Sequence, residues 1–302
     1  MSGEIGFIGL GNIGEPMALR VLQAGHRLIV HDLDAERVGR LTAAGARSAL
    51  SPMALAGQCR AVLLSLPTSR EVEAVVLGQT GIAQGGRPGL LVIDLTSGDP
   101  ARSRDIAAKL GTHAMRYVDA GVSGGRAGAQ VGTLGIMLGG AEADVAEAQP
   151  LLECFGKSLT HLGGIGAGHL TKSLNNLVMA CNMTALSEAL AVAVKAGLQP
   201  DKVVAAISAS SGGSWISQFR FPNFVLKGDF SGKGGMALGL LQKDVAIACQ
   251  AAREQGLTLF VGALVQQMLL RIAHEIGADP PNQSVARAIA DWSGVSFHER
   301  ET

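Results

Sequence analysis

Cysteine is scarce in this 302-residue sequence: Cys59, Cys154, Cys181 and Cys249 stand far apart, with no CxxC pair and no His/Cys spacing that suggests zinc. The pattern points to buried, reduced thiols and to no metal. Charge of one sign is lacking as well, since 25 basic and 25 acidic side chains give a formal net charge of zero and no long like-charge run occurs. The electrostatic footprint of a nucleic-acid binder is therefore missing, and a small-molecule ligand fits better. No run of 18 apolar residues is present, and the N-terminus enters a strand almost at once, without a basic region and a cleavable apolar stretch. These absences predict a cytoplasmic protein with no membrane partner. What the chain has in quantity is glycine, 41 residues, the mark of tight turns and close backbone approaches.

The length exceeds the ~100–200 residues of a usual domain and favours two units. In the first half, short apolar runs alternate with helix-period segments. "EIGFI" leads through a glycine turn into "EPMALRVLQAG", "HRLIVHD" into "DAERVGRLTAAG", "AVLLSLP" into "SREVEAVVLG", and "LLVIDLTS" into "ARSRDIAAKL". "RYVDAGVSGG", "TLGIMLGG" and "KSLTHLGG" follow, with the helical "AEADVAEAQPLLECF" between the last two. Such alternation predicts an α/β fold with a parallel sheet wrapped by helices. From His169 to Ala196, 28 residues pass without Gly or Pro, against ~8–20 for a usual globular helix. Later segments are Ala- and Leu-rich with Pro or Gly between them, which reads as all-helical. The boundary falls near 163–167, giving a dinucleotide-binding domain over 1–165 and a helical domain over 166–302.

The glycine turn is Gly9, Leu10, Gly11, Asn12, Ile13, Gly14, a GxGxxG placed after a strand and at the mouth of a helix. The first glycine makes the turn, the second lets a pyrophosphate approach the backbone, and the third lets helix and strand pack closely. Free amides and the dipole at the helix N-terminus then hold the phosphates. Asp32 ends the second strand, where a carboxylate accepts from both hydroxyls of an adenosine ribose and selects NAD. Arg37, a few residues on, could instead lean toward the 2′-phosphate of NADP.

Lys172 and Asn176 are i and i+4, so they share one face of the long helix, with Asn175 one position round. Taken alone, the lysine could solvate an exposed helix end. Taken with the asparagines, the glycine-rich "GGIGAGH" before it and the dinucleotide fold upstream, the polar face reads as turned inward on a ligand. Removing hydride from an alcohol requires a base for the hydroxyl proton, and a desolvated lysine suits that task.

At this point the chain resembles the β-hydroxyacid dehydrogenase family, the group that includes 3-hydroxyisobutyrate dehydrogenase and tartronate semialdehyde reductase. "GFIGLGNIGEPMA" is similar to the family's cofactor motif, and "DAGVSGG" to its substrate motif, with Gly121 where proline is usual. "GAGHLTKSLNN" is similar to its catalytic motif and "QKDVAIA" to its lysine-aspartate signature. The resemblance implies a Rossmann-type doubly wound sheet followed by an all-α domain, joined by a long inter-domain helix. It implies Lys172 as general acid/base, Asn176 positioning the substrate with Asn175 beside it, and Ser123, Gly124 and Gly125 holding the substrate carboxylate. Consecutive small residues expose backbone amides that can form such an anion nest. It also implies that Lys243 closes over nicotinamide and substrate, and that Leu66, Pro67 and Thr96 touch the cofactor from strand ends.

The expected activity is NAD-dependent oxidation of a small 3-hydroxy acid, with NADP possible. An NADPH-dependent glyoxylate, succinic or tartronate semialdehyde reductase is the enzymatic alternative, and a non-catalytic dinucleotide-binding scaffold the alternative of another kind. Imine reductases share the fold, but Lys172 argues against them. In "SSGGSWISQFR" the residues Ser214 and Trp215 could wall the substrate pocket and Arg220 could pair with a second polar group, while Trp215 and Phe219, at i and i+4, fit helix packing equally well. The long helix is too apolar for one small domain to cover, which predicts a homodimer or homotetramer through the helical domain.

Overall fold

The computed structural model describes residues 3–231 and 236–298. The chain forms two compact units, Met1–Lys172 and Ser173–Thr302. The first is built on a sheet of eight strands: β1 (Glu4–Ile8), β2 (Leu28–His31), β3 (Arg47–Ser48), β4 (Cys59–Leu64), β5 (Leu91–Asp94), β6 (Arg116–Ser123), β7 (Leu134–Gly139) and β8 (Gly156–His161). Their order is β3-β2-β1-β4-β5-β6-β7-β8. The order reverses between β1 and β4, and it is beyond the carboxyl ends of the strands at such a switch point that doubly wound sheets bind their ligands.

Strand composition follows from burial on both faces. Phe7, Leu63, Ile93 and Val118 lie in one core, while Ile8, Val62, Leu64 and Val92 lie in the other. Alternate side chains of one strand thus serve opposite cores, and the strands read as nearly unbroken apolar runs.

Two features depart from the sequence reading. The sheet is mixed, because β7 runs antiparallel to β6 with Gly121 opposite Met137. The connection 124–133 between them is shorter than the dozen or so residues that a parallel crossover needs, and it turns back at Gly132 in the left-handed conformation. β8 then returns parallel to β7. The two-residue β3 gave no signal, since Arg47 and Ser48 are both exposed and offer no apolar run. The cysteines also differ in part from expectation: all four are free, but Cys154 and Cys181 are only half-buried. Burial pushes the Cys59 thiol up to about 12.

The second unit is helical. The long helix Ala167–Lys195 begins in the first unit and ends in the second. By length and composition alone it could cross a membrane, yet it carries Lys172, Asn175, Asn176 and Glu188, and 44% of its most apolar window is buried within the chain. Helices Pro200–Ser208, Leu238–Glu254, Phe260–Ile276 and Ser284–Trp292 follow, around a core that includes Met183, Leu190, Phe221, Leu241, Val245 and Leu269. A five-residue π-helix, Ile216–Arg220, runs into the short turn Phe221–Asn223.

The sheet core is as sensitive to lost volume as any close-packed interior. Leu110, on the helix Pro100–Gly111, is fully buried. Leu110→Ala is expected to cost about 2–5 kcal/mol, read as a lower urea midpoint by circular dichroism.

Candidate active site

The glycine turn is shaped by backbone-to-backbone contact. Gly9 has φ +93°, open to glycine at little cost, and a Cβ there would strike the Ser65 carbonyl. A Cβ on Gly14 would strike the carbonyl of Gly9 itself. Gly14 opens the helix Gly14–Gln23, so these two positions let β1 turn into the helix with its first amides uncovered. Leu10 lies buried behind the turn, whereas Gly11, Asn12 and Ile13 form its partly or fully exposed rim. Any side chain at Gly9 or Gly14 would strike the backbone of the turn itself, so both positions require glycine, and the exposed rim with its uncovered amides is of the kind that can hold a pyrophosphate.

Asp32 closes the turn from β2. Its Oδ2 accepts the Leu10 amide at 2.5 Å and its Oδ1 the Asp34 amide at 2.8 Å. The carboxylate is thus aimed before any ribose arrives, while remaining half-buried. Arg37 pairs with Asp34 at 3.0 Å and stands over the turn, its guanidinium 3.8 Å from where a Gly11 Cβ would be. Glu15, at the start of the helix, is held below the usual carboxylate range by its hydrogen bonds from Arg40.

Leu66, Pro67 and Thr96 follow the ends of β4 and β5. The Thr96 hydroxyl accepts the Leu66 amide at 3.1 Å, and the Thr96 amide donates to Asp94 Oδ1 at 3.0 Å. Thr96 is buried, Leu66 half-buried and Pro67 exposed. The structure thus ties these strand ends to each other beside the switch point.

Ser123 is the last residue of β6, and Gly124 and Gly125 begin the turn into the helix Gly125–Val131 with φ +131° and +64°. Ser123 is half-buried and both glycines are exposed, which leaves their amides open to an anion. Arg126, the next residue, donates to the Asn12 carbonyl at 2.8 Å, joining this segment to the glycine turn. Lys172 is 7% exposed. A Cβ on Gly121 would lie 2.6 Å from the Lys172 Cβ, so the lysine stem rests directly on β6, two residues before Ser123.

In the second unit, Asn176 donates to Asp244 Oδ2 at 2.6 Å, and Asn175 donates to Asn176 Oδ1 at 3.1 Å. Lys243 Nζ stands 3.3 Å from Asp244 Oδ1. One fully buried carboxylate therefore orients both the carboxamide and the lysine. Asp244 was visible in the sequence only as the neighbour of Lys243; the buried i-to-(i+68) bond to Asn176 had no local signal.

Trp215 is half-exposed and stacks on Phe219 with centroids 4.9 Å apart. Arg220 is buried, its guanidinium 5.1 Å from the Trp215 ring and 5.0 Å from Phe224, and burial pushes it down to about 10. Both roles considered for Trp215, pocket wall and helix packing, are compatible with this stack.

The alignment of Asp32 has a measurable consequence. Hydrogen bonds to a charged group are worth about 1.5–3 kcal/mol, so Asp32→Ala is expected to weaken NAD binding by roughly 10- to 100-fold, with NADP losing far less. Titration calorimetry with both dinucleotides reads the ratio; equal losses would mean that Asp32 only braces the turn.

Residues 4–163 match the family model for the NAD-binding domain of 6-phosphogluconate dehydrogenase, and residues 166–289 match that for the NAD-binding domain of NADP-dependent 3-hydroxyisobutyrate dehydrogenase. A probable mitochondrial 3-hydroxyisobutyrate dehydrogenase of Dictyostelium discoideum is 37% identical over 271 residues, covering 88% of this chain and 84% of the relative. The NAD-dependent L-serine dehydrogenase of Pseudomonas aeruginosa is 35% identical over 294 residues, covering 95% and 98%. Among solved structures, the 3-hydroxyisobutyrate dehydrogenase of Mycobacterium tuberculosis with L-serine superimposes with a TM-score of 0.86 at 29% identity, covering 96% of this chain and 99% of the other. The glycine cradle with its aimed aspartate, the lysine seated on β6 and these likenesses converge: the chain belongs to the β-hydroxyacid dehydrogenase family, NAD-binding oxidoreductases of the 3-hydroxyisobutyrate dehydrogenase type.

Proposed function

We propose that the protein oxidises a small 3-hydroxy acid to the semialdehyde or 3-oxo acid with NAD, and that Lys172 is the general acid/base. The observation that carries this reading is the seat of Lys172 on β6 two residues before Ser123. Two residues of strand advance ~6–7 Å, a span that suits a carboxylate held at one end and a β-hydroxyl presented to the lysine at the other. Substrates of this type, 3-hydroxyisobutyrate, glycerate, threonate or serine, all place the alcohol one carbon beyond the α-carbon.

Bound NAD supplies the acceptor for the hydride leaving C3. The chain's own residues do the rest. The amides of Gly124 and Gly125 and the Ser123 hydroxyl hold the substrate carboxylate, which fixes the distance to the reacting carbon. Lys172 Nζ takes the hydroxyl proton in oxidation and returns it in reduction. Asn176, one turn further on the same helix and oriented by Asp244, holds the hydroxyl oxygen, with Asn175 setting its amide. Lys243 lies on the helix Leu238–Glu254, and Trp215 walls the substrate side. In this reading 1–165 serve as the dinucleotide-binding domain, 166–302 as the substrate and oligomerisation domain, and the cytoplasm is the working compartment.

One observation favours a second reading. Arg37 stands over the glycine turn, where a guanidinium can meet a 2′-phosphate, and a semialdehyde reductase using NADPH would exploit it.

Exposed apolar side chains support a homodimer or homotetramer through the helical half. Leu174, Val178 and Val192 lie exposed on the long helix, and Phe260 and Leu264, 84% and 72% exposed, head the helix Phe260–Ile276. A monomer in sedimentation at micromolar concentration would refute this.

Nicotinamide absorbance with NAD⁺ or NADP⁺ and a panel of 3-hydroxy acids, with semialdehydes and NADPH in reverse, tests the main reading. Turnover of one 3-hydroxy acid with NAD⁺ is expected. Lys172→Met is expected to lower kcat by roughly 10²–10⁴-fold, the usual worth of a positioned acid or base, with NAD affinity unchanged. Signal only with NADPH and a semialdehyde would favour the reductase, and silence throughout, with tight dinucleotide binding, a scaffold.

A further inference from the structure

The helix that bears Lys172 has no cap of its own. Its entry, "GGIGAGH", offers no side-chain oxygen to the first amides, and the first turn of a buried helix leaves such amides costly. They are met from β6. Asp119, fully buried, accepts the Gly166 amide on Oδ1 at 2.6 Å and the His169 amide on Oδ2 at 2.8 Å. One carboxylate thereby satisfies the residue before the helix and the third residue within it, the pair of donors that a capping box serves with two side chains. Its negative charge at this end also complements the helix dipole.

Around this cap the contacts leave no slack. The His169 ring is fully buried, with Nδ1 2.8 Å from Ser103 Oγ and Nε2 3.1 Å from the Asp94 carbonyl. The Asp94 carboxylate accepts in turn from the Tyr117 hydroxyl at 2.6 Å. A Cβ on Gly168 would strike the Met137 carbonyl and lie 2.8 Å from that of Asp119. Residues 119, 121 and 123 are spaced by two along β6 and so share one face. That face presents, in order, the capping carboxylate, the glycine on which the Lys172 stem rests and the serine assigned to the substrate.

We propose that Asp119 is a positioning residue: by pinning the first turn of the helix to β6 it sets the height of Lys172 over the strand, and hence the separation between Lys172 and the Ser123 subsite. This rests on Lys172 being the acid/base. Misplacement by about 1 Å can lower turnover ~10²-fold.

The test compares Asp119→Asn, Gly121→Ala, Lys172→Met and Leu110→Ala in the full chain. Asn keeps one acceptor but turns an NH₂ toward an amide donor, and Ala at 121 presses on the Lys172 stem and the Gly168 carbonyl while leaving the Asp119 carboxylate in place. Both are expected to lower kcat roughly 10- to 100-fold and raise the deuterium isotope effect with C3-deuterated substrate, with NAD dissociation constants within twofold. Leu110→Ala, a destabilised control, should keep kcat. Hydrogen exchange reads the cap without activity: the Gly166 and His169 amides should lose protection in Asp119→Asn and keep it in Lys172→Met and Leu110→Ala. Turnover within twofold in the Asp119 variant, or amides still protected there, overturns the inference. If Asp119→Asn does not fold, an unchanged kcat in Gly121→Ala does so. Wild-type turnover by Lys172→Met overturns the acid/base reading and the positioning role with it, an outcome distinct from a failed cap.

Discussion

A buried carboxylate bonded to two helix amides is the contact on which the placement of the acid/base candidate depends. The long helix starts against β6 with glycines on either side of its first residue, a sequence with little intrinsic tendency to hold a helix end. Asp119 supplies what that entry lacks, and it can do so only because Gly121 and Gly168 let the helix and the strand meet backbone to backbone. Removing partners from such buried donors costs more than making the bond gains. The close seat and the buried carboxylate therefore act on the same first turn of the helix.

The same logic recurs at the glycine turn. There Gly9 and Gly14 allow a close approach and Asp32 provides the carboxylate that accepts the backbone amide of Leu10. In both places a glycine-rich segment too flexible to hold its shape is fixed by an aspartate on a neighbouring strand. Flexibility brings the backbone close to a ligand, and the carboxylate removes the entropy that flexibility would otherwise leave to be lost on binding.

Much of this was legible in the sequence, for identifiable reasons. Strands β1, β2, β4 and β5 are short apolar runs bounded by turns, and each was readable because burial on both faces demands such runs. Gly9, Gly14 and Asp32 were readable because a strand that turns at once into a helix needs glycine where backbones meet, with an acid at the end of the next strand to hold the turn. Lys172 and Asn176 were readable because a polar pair at helical spacing contradicts an otherwise apolar helix. The direction of β7 was not, since an apolar run looks the same in either sense and only the length of 124–133 decides it. Asp119 stood inside a motif whose serine and glycines drew the functional reading, and its partners, 47 and 50 residues away, leave no local trace. Asp244 was hidden in the same way beside Lys243.

The two halves of the chemistry also differ in how freely they can vary. The residue proposed to move the proton sits where the helix entry meets β6, fixed by buried hydrogen bonds and by contacts at Gly121 and Gly168 that admit no Cβ. Trp215, Phe219, Arg220 and Phe224 instead form an aromatic and guanidinium cluster across a π-helix, held by ring stacking and cation–π contacts that tolerate exchange of one flat group for another. A π-helix adds a residue to a turn without breaking it and so re-aims the side chains beyond. The lock at β6 and the stacked cluster at the π-helix therefore answer substitution differently, the first through buried hydrogen bonds and the second through ring and cation–π contacts.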